Sequence, residues 1–513
     1  MNTPTLAPPK ATTRNWFGLA ALMIPVLLVS IDNTVLSFAL PEISRTLRPT
    51  GTQLLWIVDV YPLVLAGLLV AMGSFGDRVG RRKLLLIGAT GFAAVSLYAA
   101  FSTTPEHLIA ARALQGLFGA TLMPSTLALL RNLFLDDLQR RLAIAIWASG
   151  FSAGAALGPI MGGWLLEHYW WGSVFLINVP VLLILLAAAP FLIPESKDPN
   201  PGRLDLLSVL GSISAMFAVV YGIKSIASEK PLLGAACMVV GAGIGWWFVR
   251  RQLRLESPML DMALFRNRLF SASVLANLMA VVAMTGMLFF LSQYLQLVLG
   301  LNPMRAGMML LPGLIGTILA GLTAVRLAEH FPLRVLIPAG LALSATGFVV
   351  ATQLGANTSV ALLITAFTLV GLGVGLAETL TNDAILASVP PNKAGAASGI
   401  SETAYELGAL LGTAVLGSIL TAVYRTQLVI PGGVSDTDAA VARETLGGAV
   451  EVANNLPAPV GEQLLEHAKE AFALGADATS LVGAIIAASA AIFMAVVLRK
   501  RPVVAPVVEQ QTR

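Results

Sequence analysis

A few ionisable residues stand inside stretches that are otherwise apolar: Asp32, Asp59, Arg112, Glu378, Glu402 and Glu406. A charge in the hydrocarbon core of a bilayer is costly unless it is paired or faces a cavity, so such residues mark ion or substrate pathways. The chemistry open to them is reversible protonation and attraction of a lipophilic cation; no covalent step is needed. Asp32 lies about sixteen residues into the first apolar run, in Ser30-Ile31-Asp32-Asn33-Thr34-Val35, and so near the bilayer middle. Arg112, in Arg112-Ala113-Leu114-Gln115-Gly116, needs a partner, and Asp32 is the candidate. Protonating Asp32 would weaken that pair and losing the proton would restore it, which makes it a coupling device. Asp59 sits in the outer third of the next run, between Trp56 and Tyr61. A carboxylate beside aromatic faces suits a lipophilic cation through charge attraction and cation–π contact. Glu402 and Glu406 are four apart and share a helix face, with Tyr405 beside them. Glu378 is a further candidate for substrate contact, whereas Asp383, near the inner end of its run, is expected to be solvated or capping.

The elements that must position these groups are membrane helices. The chain has 513 residues, 56% hydrophobic and 12% charged, against about 25% charged in soluble proteins. Mean hydropathy is +0.80. With roughly 20 apolar residues needed per crossing, fourteen candidate spans are counted, from 16–40 to 478–498. The fold class is therefore all-α integral membrane. Most of the lysines and arginines fall on the side of the two termini, which places both termini in the cytoplasm. Lys224 and Lys230 are counted with an outside loop. The single cysteine, Cys237, excludes an intrachain disulfide. The histidines show no ligand spacing, and no phosphate-binding GxxxxGK[ST] loop is present, so neither a metal nor ATP drive is supported. The basic balance is a topology signal and carries no implication for nucleic acid. The first apolar run is too long for a signal-peptide core and reads as a first span. The outside segment 425–477 is acidic and is expected to be a solvated loop, with a cation-attracting vestibule or extracellular cap as the sharper alternative.

Two glycine patterns frame these spans. Gly73–Lys83, GSFGDRVGRRK, joins spans 2 and 3. Gly73 and Gly80 suit a tight turn, Asp77 can accept from a neighbouring helix N-terminus, and Arg78, Arg81 and Arg82 hold the turn on the cytoplasmic side. In span 5, Gly150, Gly154, Gly158 and Gly162 recur every four residues and make one stripe for close helix packing. Pro159 follows Gly158 and bends the helix; Gly163 closes the run.

These stretches resemble signatures of the major facilitator superfamily. Gly73–Lys83 resembles its loop G-x-L-x-D-R-x-G-R-[KR]-[KR], with Phe75 in place of Leu. Gly150 to Gly163 resembles the antiporter motif G-x8-G-P-x2-G-G of its exporters. Trp171-Gly-Ser-Val-Phe175-Leu-Ile-Asn178-Val-Pro180 and the acidic Glu402–Gly408 segment resemble its fourteen-span drug:proton antiporter branch. The resemblance covers about 16–500. It implies two six-helix bundles with an inserted two-helix hairpin: a tail at 1–15, a first bundle at 16–195, the hairpin at 196–255, a second bundle at 256–500, and a tail at 501–513. It implies proton-driven export of organic cations by alternating access in a bacterial plasma membrane, without cofactor, by a monomer whose other partners are membrane lipids. Asp32, Arg112, Glu402 and Glu406 would couple protons. Trp56, Asp59, Tyr61, Glu378 and Tyr405 would meet substrate, and the Asp77 loop would latch the outward-open state. One departure stands out: candidate span 10 holds no acid, where some of the branch carry an aspartate, and this bears on divalent cations as substrates. A fourteen-span exporter of a lipid, siderophore or peptide would share the loop motifs. A membrane receptor or enzyme would need a soluble domain or a catalytic constellation, and the sequence has neither.

Overall fold

The computed structural model of the chain describes residues 10–197, 205–227, 230–255, 258–353, 359–389 and 394–499. The expected tail at 501–513 and most of that at 1–15 lie outside them, as does the start of the expected hairpin segment. Among the described residues, fourteen helices are long and apolar enough to cross a membrane. In chain order they are α1 Thr13–Leu47, α2 Gly51–Val79, α3 Arg81–Ala100, α4 Pro105–Leu133, α5 Asp137–His168, α6 Ser173–Leu192 and α7 Leu206–Ala227. Then follow α8 Pro231–Gln252, α9 Arg268–Val298, α10 Pro303–His330, α11 Leu333–Ala351, α12 Val360–Ala387, α13 Ala396–Gln427 and α14 Ala458–Arg499. Helices satisfy their own backbone groups, which lipid cannot do. Side-chain caps start several of them: Thr50 accepts from the Gln53 amide, Thr104 from His107 and Asn302 from Arg305. Pro105, Pro231 and Pro303 occupy first turns, where the missing N–H costs nothing.

The helices α1 to α6 pack on one another through α1–α5, α2–α4, α3–α4 and α3–α6 contacts; α9 to α14 do the same through α10–α12, α11–α12, α11–α14 and α9–α13. The two bundles meet along two seams, α5 with α10 and α2 with α13. The hairpin α7–α8 closes the α2/α13 seam, with α7 touching both. Its outer helix is bare on one side, with Leu232, Val239 and Trp246 exposed as suits lipid. At the foot of the hairpin Arg251 donates two hydrogen bonds to Asp205, at 2.8 and 2.9 Å. These bonds, with one from Ser208, hold the Asp205 carboxyl down at about 2. A depressed carboxyl stabilises the fold above its unfolded value near 3.8, and the gain is lost as pH falls through the folded value. Asp205→Asn is therefore expected to cost about 1 kcal/mol at neutral pH after screening, with the difference from wild type vanishing near pH 2, as read by thermal melts across pH.

The stripe on α5 packs against α1. A Cβ at Gly154 would lie 2.8 Å from the Leu27 carbonyl oxygen and 2.6 Å from the Ser30 Cβ. Ser30 also donates to the Phe151 carbonyl at 2.6 Å, locking the approach. Gly163 instead meets α10, as does Pro159, whose carbonyl faces Gly307. Backbone cannot yield as a side-chain tip can, so Gly154→Leu is expected to cost more than about 3 kcal/mol and to leave little folded protein, checked by gel filtration of the solubilised chain.

Three expectations are corrected. The Gly73–Lys83 stretch is not a loop: α2 runs to Val79 and α3 begins at Arg81, with Gly80 alone between them at φ 117°. The α3 N-terminus is met by Glu195, which accepts from the Arg82 and Lys83 amides at 3.0 and 3.1 Å, whereas Asp77 pairs with Arg81 at 2.7 Å. The segment 425–477 is not a solvated loop. Helices Asp436–Glu444 and Leu446–Asn455 bury Ala442, Leu446 and Ala449, and α14 begins at Ala458. At 42 residues α14 is about 63 Å long, twice the hydrocarbon core, so its first half stands outside and braces this cap. Lys224 is not a loop base; it is buried within α7.

Hydrogen bonds between the two bundles cluster at the Gly51 end of the helices. Ser44 meets Thr445 at 2.7 Å, Glu444 accepts from the Gly51 amide at 2.9 Å, and Arg48 meets Glu451 at 3.0 Å. Gln296 donates to the Phe38 carbonyl, and Asn302 to Glu167. The opposite end, with Gly80, carries a cavity between the bundles.

Candidate functional site

Asp32 and Arg112 form the pair that their isolation predicts. Arg112 Nη1 lies 2.5 Å from Asp32 Oδ2, and both side chains are at most 2% exposed. A buried pair holds only if its remaining hydrogen-bonding capacity is met. Asn178 on α6 donates to the other Asp32 oxygen at 3.1 Å. Arg112 also donates to Gln115 at 3.1 Å and to the Ile57 carbonyl at 3.4 Å. Ser96 on α3 accepts from both Gln115 and Asn178, at 2.9 and 3.3 Å. The guanidinium lies 4.4 Å from the centre of the Tyr61 ring, within cation–π reach. Five helices, α1 to α4 and α6, thus converge on one charge pair.

A cavity of about 270 Å³ opens between the bundles at the Gly80 end. Gly73, Asp77 and Arg81 line it from the first bundle, with Arg131 from α4, and Glu402 faces it from α13. One turn deeper is Glu406, 8% exposed, with Oε2 lacking any hydrogen-bond partner among the described residues. From Glu402 at the cavity wall through Glu406 to the Asp32–Arg112 pair the acids are increasingly buried, and Glu406 and Asp32 both lie within electrostatic reach of Tyr61. Glu378, half-buried on α12, interacts with Tyr405, which is 37% exposed. Asn277 and Asn382 hold Ser401, next to Glu402, from α9 and α12. Just past Glu406 the α13 backbone widens into a π-helical segment, Gly412–Gly417, a feature common at functional sites. Asp383 is exposed, as expected of a solvated residue.

The aromatic group expected at Asp59 is assembled differently. Asp59 is fully buried and faces Lys224 of α7 at 2.8 Å. The Lys224 ammonium sits 3.9 Å from the Trp56 ring centre, and Phe217 stacks on that ring at 5.2 Å. Trp56, Asp59 and Tyr61 are all buried, away from the Glu402 cavity. Arg78, Arg82 and Gly80 belong to the Gly80 turn, where Arg82 donates to the Pro190 and Ile193 carbonyls. Asn178, Ser96, Lys224 and Glu195 were not singled out by sequence reasoning. Asn178 lies in the Ile-Asn-Val-Pro run and Glu195 follows Pro194 just past a span, so both had a local signal. Ser96 had none.

Comparison with known proteins agrees with this architecture. The Major Facilitator Superfamily model matches residues 22–413. The multidrug efflux pump LfrA of Mycolicibacterium smegmatis is 51% identical over 96% of this chain and 98% of its own length. The methyl viologen resistance protein SmvA of Salmonella typhimurium is 37% identical over 90% of this chain and 93% of its own. A solved bacterial homologue of the human lysosomal transporter Spinster, inward-facing and unoccupied, superposes with TM-score 0.66 at 17% identity, covering 96% of this chain and all of that one. The fold and the relatives together make this chain a transporter of the major facilitator superfamily, in its drug-efflux family.

Proposed function

We propose that the chain exports lipophilic organic cations across a bacterial plasma membrane in exchange for protons, by alternating access. The observation that carries this reading is the series of carboxylates running from the cavity inward: Glu402 at its wall, Glu406 below, and the Asp32–Arg112 pair behind Tyr61. Its cargo class is supported by the relatives, one named for multidrug efflux and one for resistance to methyl viologen, itself an organic cation. The Gly80 end, with Arg78, Arg81, Arg82, Lys83, Arg250 and Arg251, is the cytoplasmic one by the positive-inside rule. Both termini then lie in the cytoplasm, and the cavity faces it.

The cycle follows from competition for the same acids. A cation enters from the cytoplasm and is held by deprotonated Glu402 and Glu406, with Glu378 and Tyr405 at the flank. The bundles then rock, the Gly51 end opens, and protons from outside neutralise the acids and release the cation. Protonation of Asp32 frees Arg112, which couples the first bundle to the same event. A ligand shifts such an equilibrium only through its different affinities for the two states, and here proton and cargo favour opposite ones. Both bundles, the cavity and the acids belong to one chain, which supports a monomer as the working unit.

The test is ethidium transport in everted membrane vesicles. Uptake that requires a pH gradient, and that discharges the gradient when ethidium is added, is the expected result. Ethidium transport indifferent to collapse of the gradient would refute proton exchange; transport of a large uncharged lipid or peptide in its place would refute the cargo class.

A further inference from the structure

The two helices between the bundles are tied to the first by a second buried ion pair. Asp59 on α2 and Lys224 on α7 are fully buried and 2.8 Å apart. Unlike Asp32 and Arg112, neither has a hydrogen-bond partner elsewhere among the described residues. The aromatic contacts with Trp56 are the ammonium's other support. Each charge therefore depends on the other. One turn before Lys224, on the same face of α7, Val220 joins an apolar cluster with Leu410 and Ala414 of α13. Such apolar contacts can slide, whereas the Lys224 side chain is seated in α2 between Asp59 and the Trp56 ring and resists being drawn past them.

We propose that the Asp59–Lys224 pair anchors the inserted hairpin to α2, so that the hairpin travels with the first bundle and slips along α13 as the bundles rock. Resting on the export reading above, this makes Lys224 a positioning residue. It also gives Asp59 a resident cation: the ammonium occupies the carboxylate and aromatic site that a cationic cargo would otherwise take. Cargo then meets the acids of the second bundle alone.

A double-mutant cycle tests this, read by the melting temperature of the purified protein and by ethidium export from cells. Asp59→Asn and Lys224→Met each strip one charge and strand the other, and each is expected to lower export at least about tenfold and to lower the melting temperature. Together they remove both charges at nearly constant volume, and the Met thioether can rest on the Trp56 ring. The double variant is expected to recover export to within about threefold of wild type. A double variant that regains stability yet stays inactive overturns the proposal, because Asp59 is then needed for cargo or protons. Wild-type behaviour of Lys224→Met in both measurements overturns it as well. Should the Met double variant fail to accumulate, Asp59→Asn with Lys224→Gln replaces it, and failure of both to regain stability refutes the anchor. A wild-type chain that exports no ethidium sinks the function proposed above, while the stability cycle still decides the anchor.

Discussion

Asp32→Asn is expected to reduce drug-dependent proton flux to the level of empty vesicles while the chain still folds. The amide has the shape of the carboxylate and can go on accepting from Asn178, which now donates at 3.1 Å. What it cannot do is balance Arg112 or exchange a proton. Stranding one charge of a buried pair costs about 3–5 kcal/mol. Arg112 keeps Gln115, the Ile57 carbonyl and the Tyr61 ring, so the lower end of that range is expected. The substitution therefore fixes the first bundle in the condition it would have when protonated. Flux is measured in proteoliposomes by a pH-sensitive dye on adding ethidium, with Asp32→Glu as the control that keeps the titrating group. Proton flux in Asp32→Asn equal to wild type would remove Asp32 from the mechanism.

The ion pair was legible in the sequence because apolar surroundings leave each charge one plausible partner. Neither Asp32 nor Arg112 sits in the first or last turn of its helix, and both side chains are buried in the pair. Lys224 was not legible for the opposite reason. It lies three residues before the end of α7, where a lysine ordinarily snorkels to the interface, and only the packing of α7 on Asp59 turns it inward. The shared face of Glu402 and Glu406 followed from helical spacing, but which wall they face depends on the α2/α13 seam, a long-range contact with no local pattern. Asp77 illustrates a different limit. Its motif was visible, yet its partner could not be chosen between the Arg81 side chain and the amides that open α3, which Glu195 in fact meets. The cap was hidden by composition: its acids and glycines look like loop, and the groups that order it, Tyr424 donating to the Ala442 carbonyl and Arg425 pairing with Glu444, lie about twenty residues apart in sequence.

That cap leads to the second large effect: a disulfide between Ser44→Cys and Thr445→Cys is expected to stop export completely and reversibly. The cap belongs to the second bundle through Tyr424, Arg425 and the first half of α14, yet it grips α1 and α2 of the first. Glu444 is the central link, since one oxygen accepts both from Arg425 and from the amide at the positive N-terminus of α2. Opening the Gly51 end requires these contacts to part. Each is worth about 1 kcal/mol net, few enough for thermal motion to break and remake. A covalent bond cannot be broken that way. The two hydroxyl oxygens are 2.7 Å apart and buried, so thiols in their place need only a small approach to reach the about 2.05 Å of a disulfide. With Cys237→Ser as background, oxidised cells should retain ethidium and reductant should restore efflux. The uncrosslinked pair of thiols is expected to pump normally, which separates the effect of the bond from that of the substitutions. Undiminished export from fully crosslinked protein would mean that the Gly51 end never opens, and alternating access through it would have to be abandoned.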